Sequence, residues 1–242
     1  LYIANVDSFL VSHRLNLLLE AKKRGLEVHI ACEFTDKFDF LNNYGFFLHK
    51  LSYKRSKNLP LFTKEIKAFF EILFLIKSLN PNLIHLISLK PTIYVGLLAN
   101  FYSKKKILIS ITGLGYVFNS SMLKALILKR IFLVLFKFIF KNKNITTIFQ
   151  NNHNKSYLES MGVNFSGRVK IIKGSGVDIK DFKITEEPKD HFKVIMVSRL
   201  LKDKGVREFA EASKILFEKK SKIRMIIVGG IDKNPMSIKE EE

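Results

Sequence analysis

The amino-acid sequence predicts an α/β protein built on a doubly wound, parallel sheet, and three observations carry that prediction. Short runs rich in Ile, Val and Leu alternate with longer segments of helical period, the order expected when each strand is followed by a helix that packs back onto the sheet. The apolar fraction, 47% of 242 residues, is enough to bury the core of one large domain, or of one domain and part of another. A polar stretch carrying Pro188, Lys183 to Asp190, separates a long series of these alternations from a short second one.

A strand is expected over Leu1 to Asn5, and because the chain opens without a methionine a few residues are expected to precede it. A first loop holding His13 and Arg14 then leads into a helix. From Ser12 to Lys23 the apolar residues Leu15, Leu18, Leu19 and Ala21 recur at helical spacing, and Gly25 ends the pattern before a strand at Glu27 to Ala31, completing a βαβ unit. Cys32 reads as a free thiol buried on that strand; a single cysteine excludes an internal disulfide and favours a reducing cytosolic compartment. Pro81 and Pro91 punctuate a strand at Leu83 to Ile87, since proline lacks the amide that a helix interior or central strand needs. Further strands are expected at Ile107 to Ile111, Thr147 to Phe149 and Val169 to Ile172. Beyond the polar stretch come a strand at Lys193 to Val197, a helix at Val206 to Lys219 and a strand at Met225 to Val228. So small a unit leaves a sheet face and an edge uncovered, and this second domain is therefore expected to be incomplete. The domains are placed at residues 1–183 and 191–242.

An excess of 41 Lys and Arg over 22 Asp and Glu gives a formal charge of +19, which favours an anionic partner: nucleic acid, lipid headgroups or phosphorylated substrates. Nucleic acid is the weakest of these, because the 22 Phe and 7 Tyr sit mostly in apolar runs rather than interleaved with cations on a surface. No signal peptide is visible, and the longest apolar runs, such as Ile131 to Phe136, fall far short of the ~20 residues that span a bilayer. Met122 to Lys143 reads as an amphipathic helix, with Lys129, Arg130, Lys137 and Lys141 opposite Ile127, Leu128, Phe132, Leu135 and Ile139. Such a helix suits an anionic membrane surface, or equally a core with a solvated basic face; the basic cluster Lys54 to Lys57 offers a second membrane contact.

Three glycine-bearing segments stand where strands end. Ser198 to Gly205 follows a strand and opens a helix, a place where helix amides attract phosphate; Arg199 can fork two donors onto phosphate oxygens and Lys204 adds a point charge, although an ordinary solvated loop would look the same. Gly113 and Gly115 permit either a close backbone approach to a ligand or a turn with positive φ; with Phe118 where a third glycine would stand, they make no dinucleotide fingerprint. Gly174 and Gly176, like Gly229 and Gly230, either line a cleft or form turns.

Taken with their order and spacing, Asn5 to Arg14, His85 to Pro91, Thr112 to Phe118, Phe149 to Asn151, Gly174 to Asp178, Ser198 to Gly205 and Val228 to Gly230 make the chain resemble glycosyltransferase family 4, whose members have the GT-B fold and in part build bacterial surface polysaccharides, lipopolysaccharide or N-linked glycans on polyprenyl diphosphate. The resemblance implies two Rossmann-like domains across a cleft, the first complete here and binding the acceptor, the second truncated here and binding a nucleotide sugar. It implies a retaining transfer from a UDP-sugar, a hexose or N-acetylhexosamine, to a polyprenyl-diphosphate-linked saccharide at the inner face of the cytoplasmic membrane. Arg199 and Lys204 would then hold the donor diphosphate with no metal or other cofactor, Gly113, Gly115, Gly174, Gly176, Gly229 and Gly230 would line the cleft, and His13 and Arg14 would lie toward the acceptor. The family's downstream pair of glutamates has no counterpart in the terminal Glu240 to Glu242, so the chain is expected either to transfer sugar or to be an inactive remnant that keeps only acceptor and membrane binding.

Overall fold

The computed structural model describes residues 1–52, 61–99, 105–119, 123–187, 192–230 and 237–238; Lys54 to Lys57 and Glu240 to Glu242 lie outside them. Seven parallel strands form one sheet: β1 (Tyr2–Val6), β2 (His29–Glu33), β3 (Phe47–Lys50), β4 (Leu83–Ile87), β5 (Lys106–Ile111), β6 (Ile145–Phe149) and β7 (Arg168–Ile171), in the spatial order β3-β2-β1-β4-β5-β6-β7. Between and around them run α1 (Asp7–Lys23), α2 (Phe38–Asn43), α3 (Leu61–Leu79), α4 (Leu89–Leu98), α5 (Gly115–Asn119), α6 (Leu123–Ile139) and α7 (Asn152–Ser160). The chain divides into two units, Leu1–Asp178 and Ile179–Glu242, a few residues ahead of the polar stretch at Lys183.

Alternation along the strands sends side chains into two cores. Ala4, Ile30, Cys32 and Ile87 meet Leu10 and Leu18 of α1, Leu41 of α2 and Phe46 on one side. Ile3, Ile84, Leu86, Ile107 and Ile109 meet Ile72 and Ile76 of α3, Val95 of α4 and Phe136, Ile139 and Phe140 of α6 on the other. This split follows from the chain running from β1 outward to β3 and then returning through α3 to β4 on the other side of β1, so that later crossovers advance in the opposite direction along the sheet. Burial pushes the Cys32 thiol well above its ordinary pKa and leaves it a small hydrophobe rather than a nucleophile.

Two local expectations change. The segment expected as a loop up to Arg14 is helical from Asp7, whose carboxylate stands in the first turn of α1, where the amide dipoles favour negative charge. The helix ends as expected: Leu26 N–H donates to Ala21 C=O at 3.1 Å and Gly25 N–H to Lys22 C=O at 2.9 Å, a closure that needs the left-handed φ of +78° at Gly25. Helix α6 keeps part of the expected apolar face, with Phe132, Leu135 and Ile139 on the core, but is turned so that the expected residues of its first half are not buried. Phe136 and Phe140, at 0% and 1% exposure, face the core with Ile139, while Ile127 and Leu128 remain 52% and 43% exposed. The large rings bury the most area, and a nest of aromatics receives them: Phe118, Phe132 and Phe165 lie 4.7–6.4 Å from them, centroid to centroid. Gly96 of α4 fixes the depth, since a Cβ there would come within 2.7 Å of Ile139 Cγ2.

In the second unit, β8 (Lys193–Val197) and β9 (Arg224–Val228) pair in parallel, joined by a single 3₁₀ turn at Lys202–Lys204 and helix α8 (Val206–Glu218).

Candidate active site

The parallel sheet of the first unit has one edge where all strands deliver their carboxyl ends, and the order reverses between β1 and β4, the place where open α/β sheets form a crevice for ligands. Four segments singled out in the sequence end at this edge: Asn5–Asp7 after β1, Ser88–Pro91 after β4, Thr112–Gly115 after β5 and Gln150–Asn151 after β6. Gly174 to Gly176 follow β7 on the same edge, and Gln150 Nε2 donates to Ser175 Oγ at 3.4 Å.

The edge is held by a buried carboxylate. Asp7 is fully inaccessible and accepts from Ser8 N–H at 2.8 Å, Thr35 N–H at 2.8 Å, Lys37 N–H at 3.0 Å and Thr35 Oγ–H at 2.7 Å. It thus ties the loop after β2 to the start of α1. Asn5, two residues earlier on β1, keeps a buried carboxamide oxygen with no donor.

After β4 the backbone enters a region that side chains rarely occupy: Ser88 has φ 87° and ψ 162°. Its carbonyl accepts from Thr92 Oγ–H at 2.9 Å and Thr92 N–H at 3.3 Å, so the first turn of α4 holds the unfavourable angle in place. After β5, Leu114 and Phe118 insert into the core at 6% exposure each, leaving Gly113 and Gly115 outermost. A methyl group added at either glycine would meet no atom within 4 Å, so the loop presents bare backbone to open space. Gly115, Gly174 and Gly176 have φ of +66°, +68° and +72°.

His13 and Arg14 stand in the second turn of α1, Arg14 ~10 Å along the axis from Asp7. His13 is exposed, stacks on Phe9 at 4.5 Å and shares a hydrogen bond with Ser12 Oγ at 2.6 Å. Arg14 turns inward beside Tyr2 and keeps a buried Nε without a partner; burial lowers its pKa. The structure therefore gathers the glycines at the edge but leaves Arg14 further down the helix.

Below the edge, His85 bridges β4 to β5 through Nε2···Ser110 Oγ at 2.7 Å, with Tyr2 at 5.2 Å. Burial, helped by Arg14, pushes its pKa from 6.5 down to about 3. A folded value below the unfolded one means the native state prefers the neutral ring; the stability this gives is complete above about pH 6.5 and drains away as pH falls toward 3. We expect His85→Gln to flatten that acid limb of the stability profile, read from urea midpoints across the interval; an unchanged slope would refute the assignment.

In the second unit, Arg199 follows the carboxyl end of β8 and Lys204 closes the 3₁₀ turn that leads through Gly205, φ +77°, into α8; both side chains are exposed. The loop leans on the end of β9: Ser198 N–H donates to Val228 C=O at 3.1 Å and Leu200 N–H to Gly230 C=O at 3.3 Å. A Cβ at Gly229 would fall 1.9 Å from Ser198 C=O, so this glycine serves strand-end contact, while Gly230 faces open space. The loop thus sets two cationic side chains where a strand ends and a helix begins, a position whose helix amides attract anions in general.

Residues 1–152 match the family described as glycosyl transferase 4-like. A relative from Campylobacter jejuni, N,N'-diacetylbacillosaminyl-diphospho-undecaprenol alpha-1,3-N-acetylgalactosaminyltransferase, is 26% identical over 251 residues, covering 97% of this chain and 64% of the relative. Sucrose-phosphate synthase from Thermosynechococcus elongatus superposes with a TM-score of 0.71 at 19% identity, over 96% of this chain and 62% of that one. A glycosyltransferase from Rickettsia africae gives 0.67 at 18% identity, over 97% and 62%. The chain spans a little under two thirds of the length of these proteins, and the likenesses bear out the expected α/β architecture of GT-B type.

Proposed function

The chain belongs to the glycosyl transferase 4-like family, and from that premise we propose that it serves the transfer of a hexose or N-acetylhexosamine from a UDP-sugar to a polyprenyl-diphosphate-linked saccharide, with retention of anomeric configuration. The observation that carries the reading is the gathering of the strand-end segments after β1, β4, β5, β6 and β7 on one edge, with bare glycine backbone outermost. The printed name of the Campylobacter jejuni relative, a sugar transferase acting on a diphospho-undecaprenol-linked saccharide, supports the same class of acceptor.

In this proposal Arg199 and Lys204 bind the donor diphosphate, and their charges stabilise the nucleoside diphosphate as it leaves. Two positioned cations perform the neutralisation, so the step calls for no metal. Gly113 and Gly115 let the transferred sugar approach the backbone within van der Waals distance, with Gly174 and Gly176 as further positions on the same edge; in the second unit Gly230, which faces open space, is the corresponding position, while Gly229 is taken up by its contact with Ser198. His13, exposed on α1, stands on the acceptor side, with Arg14 behind it contributing its positive charge from a partly buried position. The reaction takes place at the inner face of the cytoplasmic membrane, with the protein attached peripherally; no helix among the described residues is long and apolar enough to cross a bilayer.

The test is a transfer assay with a panel of UDP-sugars and a short polyprenyl-diphosphate saccharide, product identified by mass spectrometry and anomeric configuration by NMR. One sugar added with retention is the expected result. UDP binding without turnover on any donor would replace this reading by that of a binding-only chain. A finer prediction concerns Gly113, whose φ is not left-handed: Gly113→Ala should leave the urea midpoint unchanged to within about 0.5 kcal/mol, yet lower kcat/KM at least ~10-fold because the added methyl occupies the sugar's space. Equal activity in the variant would remove the glycine loop from the site.

A further inference from the structure

Helices α3, α4 and α6 form one layer on the sheet, joined by the edge-to-face contact of Phe69 with Tyr94 and the fit of Ile139 against Gly96. α4 is recessed, and the two outer helices turn apolar side chains away from the sheet. On α6, Leu123, Ile127, Ile131, Val134 and Phe138 are 48–73% exposed, and at about 100° per residue they fall in one arc of about 80° directly away from the core. On α3, Ile66, Phe70 and Phe74 repeat every four residues and are 41%, 60% and 75% exposed. Large rings and branched side chains in so regular a stripe are more than the scattered apolar exposure of an ordinary surface.

Cations border both stripes. Arg130 and Lys137 lie at the edge of the α6 arc and Lys141 in the turn that follows the helix, Lys67 and Lys77 stand beside the α3 stripe, and the two helices carry two acidic residues, Glu65 and Glu71, against this larger number of cations. Glu71 accepts from the N–H and hydroxyl of Ser52 at 2.8 and 2.7 Å and also pairs loosely with Lys67 at 3.8 Å, which takes up part of that cation's charge. Lys129, by contrast, is drawn over the Tyr157 ring at 5.2 Å and does not share in this border.

We propose that this α3/α6 face is the surface by which the protein lies on an anionic bilayer, its apolar stripes entering the acyl boundary and the bordering cations meeting headgroup phosphates. The inference deepens the peripheral attachment in the reading above and rests on it. The charge pattern decides the occupant: two copies packed through this face would set like charges against each other around the apolar centre, whereas anionic headgroups complement them. The long axes of α3 and α6 then lie in the membrane plane, with their apolar sides down.

The chain contains no tryptophan, so single Phe→Trp reporters are unambiguous. Phe74→Trp and Phe138→Trp are expected to shift their emission to the blue and to be quenched by acyl-brominated lipid in vesicles of equal parts phosphatidylglycerol and phosphatidylcholine. Phe38→Trp on α2, on the opposite side of the sheet and 44% exposed, is expected to respond in neither way. Removing Arg130, Lys137 and Lys141 together as alanines should weaken vesicle binding on the order of 100-fold, about fivefold per cation, and added salt should do the same to the parent chain. Equal quenching at all three reporters, or none, overturns the proposal. So does a dimer in lipid-free sedimentation that Val134→Ser with Phe138→Ser dissociates. UDP titration of the same chain separates the two readings: a chain that binds UDP but no vesicles sinks this inference alone, and one that binds vesicles through this face but neither binds UDP nor transfers sugar sinks the catalytic one.

Discussion

Replacing Arg199 and Lys204 together by alanine should lower UDP affinity at least ~100-fold, with little change in thermal midpoint. A hydrogen bond to a charged group contributes about 1.5–3 kcal/mol, so losing two such partners costs about 3 kcal/mol or more, which is two decades in Kd. Both side chains are exposed and outside the core, so any stability change should be small beside the loss of affinity. Calorimetric titration with UDP and, as control, uridine separates the contributions: the nucleoside lacks the diphosphate and should lose little. A double variant that binds UDP like the parent would take the diphosphate role away from this loop. Salt should weaken the parent's affinity for UDP and hardly affect the variant's, because the attraction removed is Coulombic.

The second large effect belongs to Asp7. Asp7→Ala strands the amides of Thr35 and Lys37, each 2.8–3.0 Å from the present carboxylate, and deprives the first turn of α1 of its negative charge. The donors lie on exposed or half-exposed residues that water can reach, so the loss is that of several part-buried bonds to a charged group, about 1.5–3 kcal/mol in all, read as a fall in the urea midpoint with m unchanged. Asp7→Asn, which keeps one acceptor oxygen, should fall between. A loss below about 1 kcal/mol would mean that the loop after β2 holds itself without Asp7.

Strands with a full apolar run were legible from residues alone. β4 lies where Leu83 to Ile87 placed it, because a buried parallel strand needs a continuous hydrophobic stretch, and β8 lies at Lys193 to Val197 on the strength of its β-branched run alone, since it stays largely exposed. Strand β3 gave no such signal: Phe47-Leu-His-Lys50 is four residues long, lies at the sheet edge and owes its conformation to pairing with β2. The face of α6 was partly misjudged because periodicity offers several apolar arcs on a helix this hydrophobic, and only the space beside Gly96 and the surrounding rings decides which is buried. At the candidate site, glycines after strands announced themselves. Asp7 and Ser88 did not, since Asp7 finds its partners 28 and 30 residues away and no one-dimensional pattern encodes a backbone angle at a serine.

That serine bears on how the molecule can be altered. A glycine would adopt the same angles freely, so selection for a durable scaffold alone would discard the serine, and a programme of stabilising substitutions would choose this position early. The hydroxyl and the constrained junction it brings to the start of α4 stand beside the crevice, where robustness and usefulness compete. Engineers seeking a hardier version of this protein should expect that exchange at Ser88 before anywhere else on the sheet's working edge.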